Sequence, residues 1–220
     1  MNLENISEKT GIVFAKLAEE KFLNEYTLVG GTALSLQIGH RLSEDLDFIY
    51  FGNILNSLNI KKFIEKKFKG SYKLVKQDND HQIDFLIDDV RVTFFTTDSV
   101  LISFDVKDFS VKYNQVYIAA TDIIAVMKIN ALSHRNTIRD YYDLYFIAKY
   151  FISLEKIYEL CKKHLPNISE ITYSETITYV DDIKEDSIAN YLKPKENLTK
   201  IEISDYFIKE IKNFFNKKIN

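Results

Sequence analysis

The pair Gly30-Gly31 constrains the fold of this chain more than any other feature, because it separates two segments of different pattern. Residues 26–29, before it, are β-rich, and residues 32–39, after it, have the small and apolar content of a buried helix, with Gly39 as its C-cap. The sequence therefore predicts a strand that turns into a helix at two residues without Cβ atoms. At such a turn backbone N–H groups approach phosphate oxygens closely, and the helix N-terminus favours negative charge.

An acidic pair, Asp45 and Asp47, follows this helix at the start of a second β-rich run, residues 46–51. Because side chains alternate along a strand, both carboxylates are expected on one face. Two carboxylates near phosphates suit Mg²⁺, which commonly binds one or two carboxylates together with substrate phosphates. Taken separately, a Gly-Gly is usually only a turn, and an Asp-x-Asp on a strand more often marks an exposed face. The two in succession predict a site for a metal ion and a phosphate ligand.

The rest of the chain divides into a strand-rich part and a helical part. Short strands are predicted over residues 73–75, 83–87, 90–95 and 116–118, with Asp88-Asp89 as a hairpin turn. Helices are predicted over residues 7–23, 54–68, 122–135, 137–151, 154–164 and 203–219. This order indicates an α+β fold with a boundary near Ala120, giving a core of residues 1–120 and a helical C-terminal region of residues 121–220.

Composition limits the classes of function. With 46% apolar residues the chain is expected to bury a core, and its net charge of −3 argues against bulk electrostatic capture of nucleic acid, although a local basic groove is compatible with it. The single cysteine, Cys161, and four scattered histidines have no metal-ligand spacing, so a thiol or zinc mechanism is not expected. Neither a secretory signal nor an apolar run of ~20 residues is visible, which predicts a cytoplasmic protein that does not contact a membrane.

Two blocks of sequence resemble a known family. The first comprises Gly30-Gly31-Thr32-Ala33-Leu34 and Arg41-x-Ser43-x-Asp45-Leu46-Asp47-Phe48. The second is Met127-Lys128-x-x-Ala131-x-x-x-Arg135-x-x-x-Arg139-Asp140-x-x-Asp143-Leu144. Together they resemble the AbiEii/AbiGii toxins, a family of DNA polymerase β-like nucleotidyltransferases, from about residue 26 to residue 150.

The resemblance implies a polymerase β-like core, a small mixed sheet with flanking helices, followed by a helical region that completes the active-site cleft. It implies Mg²⁺-dependent transfer of a nucleoside monophosphate from a nucleoside triphosphate to an acceptor, either RNA such as tRNA or protein. It further implies a toxin of a toxin–antitoxin or phage-defence pair, with a cognate antitoxin as partner.

The resemblance also assigns residues to roles. The metal ligands would be Asp45 and Asp47. The catalytic residues would be Asp45, Asp47, Lys128 and Asp140, with Asp143 as the alternative to Asp140. The nucleotide-binding residues would be Gly30, Gly31, Thr32, Arg41, Ser43, Lys128 and Arg135.

The second block has a physical interpretation of its own. Lys128 and Arg135 are seven positions apart, so a helix over residues 122–135 would carry both on one cationic face. Lys128 would then bind a triphosphate oxygen, and Arg135 or Arg139 would pair with phosphate or a carboxylate. The alternative is a purely structural network in which these arginines pair with Asp140 and Asp143 and hold two helices together.

One position departs from the wider fold. Many polymerase β-like enzymes carry a third carboxylate on a strand that follows the Asp-x-Asp hairpin, where this chain offers Thr93. Asp84, on the preceding run, is a candidate substitute, and a surface role for Asp84 is an equal alternative. This departure leaves a second function open, a catalytically inactive nucleotide-binding or protein-interaction module with the same fold.

Overall fold

The computed structural model describes residues 1–78, 80–166, 168–188 and 193–219 of the chain. The chain divides into two compact units, Met1–Ala120 and Thr121–Asn220, and each is described by itself. The seven strands of the sheet lie in the first unit together with three α-helices, and helices make up most of the second unit, so the predicted α+β class is confirmed.

A seven-stranded mixed sheet forms the first unit. Its strands, in chain order, are β1 (Tyr26–Val29), β2 (Leu46–Tyr50), β3 (Tyr72–Asp78), β4 (Gln82–Ile87), β5 (Val90–Thr96), β6 (Ser110–Tyr113) and β7 (Val116–Ala119). They lie in the order β3-β4-β5-β2-β1-β7-β6. β2 is antiparallel to β1 and parallel to β5, so the strand that begins after Asp45 occupies the centre of the sheet.

Three helices flank this sheet: α1 (Glu8–Ala18), α2 (Gly30–Ile38) and α3 (Ser57–Lys67). Ser7 caps α1 by accepting a hydrogen bond from the Thr10 N–H, as the sequence predicts. Gly39 ends α2 in the left-handed conformation, with φ +58°, which is also the predicted C-cap.

One face of the sheet is aromatic and buried. Phe48 on β2 stacks on Phe94 of β5 with the ring centroids 5.3 Å apart, and Tyr26 on β1 meets Phe94 edge-on at 5.1 Å. Because side chains alternate along a strand, the residues next to Phe48 and Phe94, namely Asp47 and Thr93, point to the opposite face. The hydrophobic pattern of the strands therefore fixes the face on which Asp47 lies, whereas Asp45 immediately precedes β2 and is outside the strand.

Helices form the second unit: α4 (Thr121–Leu132), α5 (Ile138–Tyr150), α6 (Leu154–His164), α7 (Glu170–Thr178) and α8 (Lys200–Ile219). α5 is central, since Tyr141 and Tyr142 are fully buried and the Tyr141 ring meets Phe207 of α8 edge-on at 5.3 Å. Among the described residues, no helix is both long enough and apolar enough to cross a bilayer.

Several boundaries differ from the sequence predictions. The first helix ends at Ala18 rather than continuing to residue 23, and a short 3-10 helix, Lys21–Glu25, follows it. The helix predicted to include Arg135 ends at Leu132, so the argument that Lys128 and Arg135 share a helix face is wrong. Arg135 instead lies in the connection between α4 and α5, where its position depends on that turn.

Candidate functional site

The glycine pair forms the first turn of α2, immediately after β1. Gly30 has φ +73°, a conformation that residues with a Cβ rarely adopt. The N-cap residue of α2 is Val29, whose side chain has no hydrogen-bond acceptor, so it leaves the first N–H groups of the helix uncapped. The turn therefore has the backbone geometry that favours an anionic ligand.

Gly31 is in close contact with the segment that precedes β2. A Cβ at Gly31 would overlap Arg41 Nη2 and would lie 3.2 Å from Ser43 Oγ. Thr32 continues this contact: its hydroxyl is 2.8 Å from Ser43 Oγ and donates a hydrogen bond to the Asp45 carbonyl oxygen. The fold thus brings together all five residues of the first block that the sequence assigns to nucleotide binding, and Thr32, Arg41 and Ser43 are buried there.

Asp47 lies directly against the glycine turn. It pairs with Val29 across β1 and β2, and a Cβ on Gly30 would be 3.2 Å from Asp47 Oδ2. Asp45 immediately precedes β2, and both aspartates are half-buried. Asp47 is thus in close contact with a turn that suits an anion, and a carboxylate in this position fits a Mg²⁺ ion shared with phosphate oxygens.

The third carboxylate of the wider fold is replaced by a hydroxyl. β2 and β5 pair with Asp47 opposite Thr93, and β4 and β5 pair with Asp84 opposite Thr93. Asp47, Thr93 and Asp84 therefore form a row across three strands, with their side chains on one face. In the part of the chain that the structure describes, no three His, Cys, Asp or Glu side chains come together as a metal-binding group.

Asp84 is fully buried, so a surface role for its side chain is wrong. Its carboxylate accepts hydrogen bonds from Gln82 Nε2 at 2.7 Å and from Arg91 Nη2 at 2.5 Å. The hydrogen bond to Asp84 raises the pKa of the Arg91 guanidinium, burial opposes this, and the charges of Asp84, Asp45 and Asp47 raise it further. Arg91 is therefore electrostatically linked to both members of the acidic pair.

The sequence interpretation gave Arg91 no role, although a signal for it was present. Arg91 is two residues before Thr93 on β5, so both side chains point to the same face of the sheet. The signal was a charged residue within a β-rich run, two positions from Thr93, where the third carboxylate is missing. This spacing would have predicted that Arg91 lies on the same face as the acidic site.

In the second unit, Lys128 of α4 is paired with two carboxylates of α5. Its Nζ is 2.6 Å from Asp140 Oδ1 and 2.5 Å from Asp143 Oδ2. All three side chains are buried, with Asp143 fully so. A buried lysine between two aspartates is stabilised by its partners and holds α4 against α5.

Asp140 also connects to the turn that precedes α5. Arg135 Nε is 3.3 Å from Asp140 Oδ2, and the Thr137 hydroxyl donates to the same oxygen at 2.9 Å. Burial alone would raise the pKa of Asp140, but the charges of Lys128 and Arg135 outweigh it, and the pKa is lowered. Arg139 and Arg135 are both exposed. The Arg135 side chain is 70% exposed, although its partner Asp140 is buried.

The predicted site residues thus form two constellations, one in each unit. The first unit presents a glycine turn beside two carboxylates, an arrangement that suits a phosphate ligand and a divalent cation. The second unit presents a buried lysine and a largely exposed arginine, both paired with the Asp140 carboxylate.

Comparisons with known proteins identify relatives of this chain. The sequence model of the family described as nucleotidyl transferase AbiEii toxin, type IV TA system, matches residues 12–215. An uncharacterised protein of Aquifex aeolicus is 29% identical over 188 residues, which cover 83% of this chain and 88% of that protein.

Solved structures share the fold. JHP933 from Helicobacter pylori has a TM-score of 0.52 at 19% identity, covering 97% of this chain and 96% of that chain. MenT4, a nucleotidyltransferase toxin from Mycobacterium tuberculosis, has a TM-score of 0.54 at 14% identity, covering 94% of this chain and 86% of that chain.

Proposed function

Because the chain belongs to the AbiEii family of nucleotidyl transferase toxins, we propose that it transfers a nucleoside monophosphate from a Mg²⁺-bound nucleoside triphosphate to an acceptor. In this reaction an acceptor oxygen forms a bond to the α-phosphorus, the bond to the bridging oxygen breaks, and pyrophosphate leaves. The observation that carries the proposal is the contact of Asp47 with the glycine turn, 3.2 Å from the position that a Gly30 Cβ would occupy.

In the first unit, some residues would bind the phosphates and others the metal ion. The N–H groups at Gly30 and Gly31 hold phosphate oxygens, and Arg41, which lies against Gly31, adds positive charge beside them. Asp45 and Asp47 hold the Mg²⁺ ion, which neutralises phosphate charge when bound. Thr32 and Ser43 fix the segment that carries Asp45, since Thr32 bonds both to the Ser43 side chain and to the Asp45 backbone.

Lys128, Asp140 and Arg135 enter the proposal through the family resemblance of their block. Lys128 is charged and held rigidly by Asp140 and Asp143, and its ammonium group would meet a triphosphate oxygen. Arg135 has a largely exposed side chain, which suits a phosphate of the nucleotide or of the acceptor. Asp140 would orient both cations.

RNA, with tRNA as the first candidate, is the acceptor class that we propose, and protein is the alternative. The partner we propose is a cognate antitoxin of the type IV kind that the family description names, in a cytoplasmic toxin–antitoxin pair with a role in phage defence. Net charge supports a local rather than a global contact with RNA, since the chain carries −3 overall.

Incubation with each α-labelled nucleoside triphosphate, Mg²⁺ and either total RNA or total protein tests the function. We expect label in RNA with wild-type protein, and none with Asp47→Asn, which keeps the shape of the side chain and removes its charge. Asp78→Asn, at an exposed aspartate of β3, is the matched control and should keep full transfer. Label in protein would reassign the acceptor, and nucleotide binding without any label would indicate the inactive module instead.

A further inference from the structure

Arg91 lies among three carboxylates of the first unit. Its Nη2 is 2.5 Å from Asp84 Oδ2, and its charge interacts with Asp45 and Asp47 as well. The pairing of Leu46 with Val92 at the start of β2 brings the preceding residues, Asp45 and Arg91, alongside each other. By this register Arg91 is next to Asp45 and lies on the same face of the sheet as Asp47 and Thr93.

The pair with Asp84 differs from an ordinary surface ion pair. The Asp84 side chain is 0% exposed, whereas the Arg91 side chain is 51% exposed. A fully buried carboxylate requires a cationic partner, and loss of that partner is costly, so Asp84 fixes the place of the guanidinium. A guanidinium has five N–H donors in a rigid fork, more than one carboxylate oxygen uses, so it can serve Asp84 and still act on the acidic pair.

We propose that Arg91 is a fixed cation of the metal site, held by Asp84, that replaces the charge of a second metal ion and limits the site to one divalent cation. This inference rests on the proposed function of Asp45 and Asp47 as metal ligands. It assigns Arg91 and Asp84 as positioning residues, since neither needs to contact the nucleotide.

The charges along the row of Asp47, Thr93 and Asp84, which crosses three strands, explain why the site would hold one divalent cation. Two metal ions need several shared carboxylates, and here the position beside Asp47 is Thr93, which has no charge. Asp84 supplies a third negative charge one strand further away, but Arg91 and Gln82 already occupy its oxygens. The protein charge that remains for a metal is then that of Asp45 and Asp47, so that the protein itself, apart from the bound triphosphate, supplies the charge that balances one divalent cation.

Two variants separate a fixed cation from a merely structural ion pair. Asp84→Asn leaves the charge of Arg91 with Asp45 and Asp47 as its carboxylate neighbours, so a divalent cation should bind roughly tenfold more weakly. The double variant Asp84→Asn with Arg91→Leu removes both charges together, so no buried charge is stranded. In this double variant the metal should bind roughly tenfold more tightly than in Asp84→Asn alone.

The experiment is a titration with Mn²⁺, followed by electron paramagnetic resonance, of the full-length protein saturated with a non-hydrolysable triphosphate analogue. The analogue alone is the blank, and thermal melting confirms that each variant is folded. We expect one Mn²⁺ per wild-type chain. A second should bind only when Thr93→Asp is added to the double variant. Lys9→Met, at an exposed pair with Asp89 in the same unit, is the control and should change nothing.

The outcomes distinguish this inference from the function on which it rests. Two Mn²⁺ ions in the wild type, or equal affinity in the wild type, Asp84→Asn and the double variant, would overturn the role of Arg91 and leave the metal site intact. Mn²⁺ binding that is unchanged by Asp47→Asn would remove the metal site itself, and the role of Arg91 with it.

Discussion

Gly31 shows how closely the glycine turn approaches the segment that precedes β2. The space that a side chain would fill is taken by the Arg41 guanidinium, which a Cβ would overlap, and by the Ser43 hydroxyl, which would be 3.2 Å from that Cβ. Neither group can withdraw without loss, because both are buried. A methyl group at residue 31 must therefore displace a charge that we assign to phosphate binding.

A matched pair of glycine substitutions tests this contact. We expect Gly31→Ala to lower the affinity for a nucleoside triphosphate by roughly tenfold or more, because it moves Arg41 and blocks close approach to the turn. Gly11→Ala is the control, since a Cβ on Gly11, within α1, meets nothing within 4 Å. Equilibrium binding of a fluorescent triphosphate gives the comparison, and equal affinities in the two variants would show that the glycine turn is only structural.

At the scale of single residues the sequence predicted local geometry better than pairing between side chains. The turn at Gly30 and the strand that carries Asp47 could be predicted, because the absence of a Cβ and alternation along a strand are local properties. The pairing of Asp84 with Arg91 could not, because it depends on a residue of β4 meeting a residue of β5 across a register that the sequence does not state.

The connection of α4 to α5 is built on charge as well as on apolar packing. Lys128 of α4 is buried between Asp140 and Asp143 of α5. The pKa of Asp140 is lowered in the folded protein, so its ionised form stabilises the fold. That contribution is complete above the unfolded pKa of an aspartate and is lost as pH falls through the lowered folded pKa.

Removal of the lysine should reverse this dependence on pH. We expect Lys128→Met to lower the free energy of unfolding at pH 7 by about 3–5 kcal/mol, because it removes the lysine shared by two buried carboxylates, of which Asp140 keeps Arg135. Without the charge of Lys128, burial raises the pKa of Asp140 against less opposition, so protonation of Asp140 relieves part of the penalty. The deficit relative to wild type should therefore shrink as the pH is lowered from 7 towards the unfolded pKa of aspartate.

Denaturant unfolding of both proteins at several pH values measures the effect. Lys156→Met provides the control, since Lys156 forms an exposed pair with Glu159 and should change stability by less than about 0.5 kcal/mol at any pH. A deficit for Lys128→Met that is constant with pH would mean that the two carboxylates do not titrate as a consequence of losing this lysine.

Helices and strands that have a cap, a turn residue or a clear hydrophobic pattern were predicted from the sequence. Those that depend on contacts with other parts of the fold were missed. The bounds of β1 and α6 match their patterns, because a glycine turn ends one and Ser153 caps the other. β6 was missed, since Ser110–Tyr113 lies at the edge of the sheet with no buried residue to give an alternating pattern. α7 was missed because Glu170–Thr178 is rich in threonine and serine, and it is helical where Tyr173 and Ile177 reach the core.

For the molecule as a whole, the sequence predicted the family. It did not establish whether the two motifs act together in one reaction. The resemblance to the AbiEii toxins, drawn from two short blocks, is confirmed by a match over residues 12–215. The blocks fall in different units, Met1–Ala120 and Thr121–Asn220. A common role for Asp47 and Lys128 is therefore a prediction about one reaction that needs both units.

The transfer rates of Asp47→Asn, Lys128→Met and the double variant test this prediction. Residues that act as one catalytic unit have strongly non-additive effects, so we expect the double variant to be about as slow as the slower single variant. The rates are measured below the melting temperature of each variant, so that loss of folded protein does not contribute to the reductions. If the two reductions multiply instead, the second block acts only through packing.

The placement of the two blocks along the chain has a consequence during protein synthesis. All strands that carry the acidic pair, the glycine turn and Arg91 precede residue 97, whereas Lys128 is translated later. A ribosome that stalls, or a gene that acquires a stop codon, shortly after Ala120 yields a chain with the proposed metal ligands but without the lysine. If both are required, unfinished copies of this chain can hold the metal but cannot complete the transfer, so the activity appears only after the second unit has been synthesised.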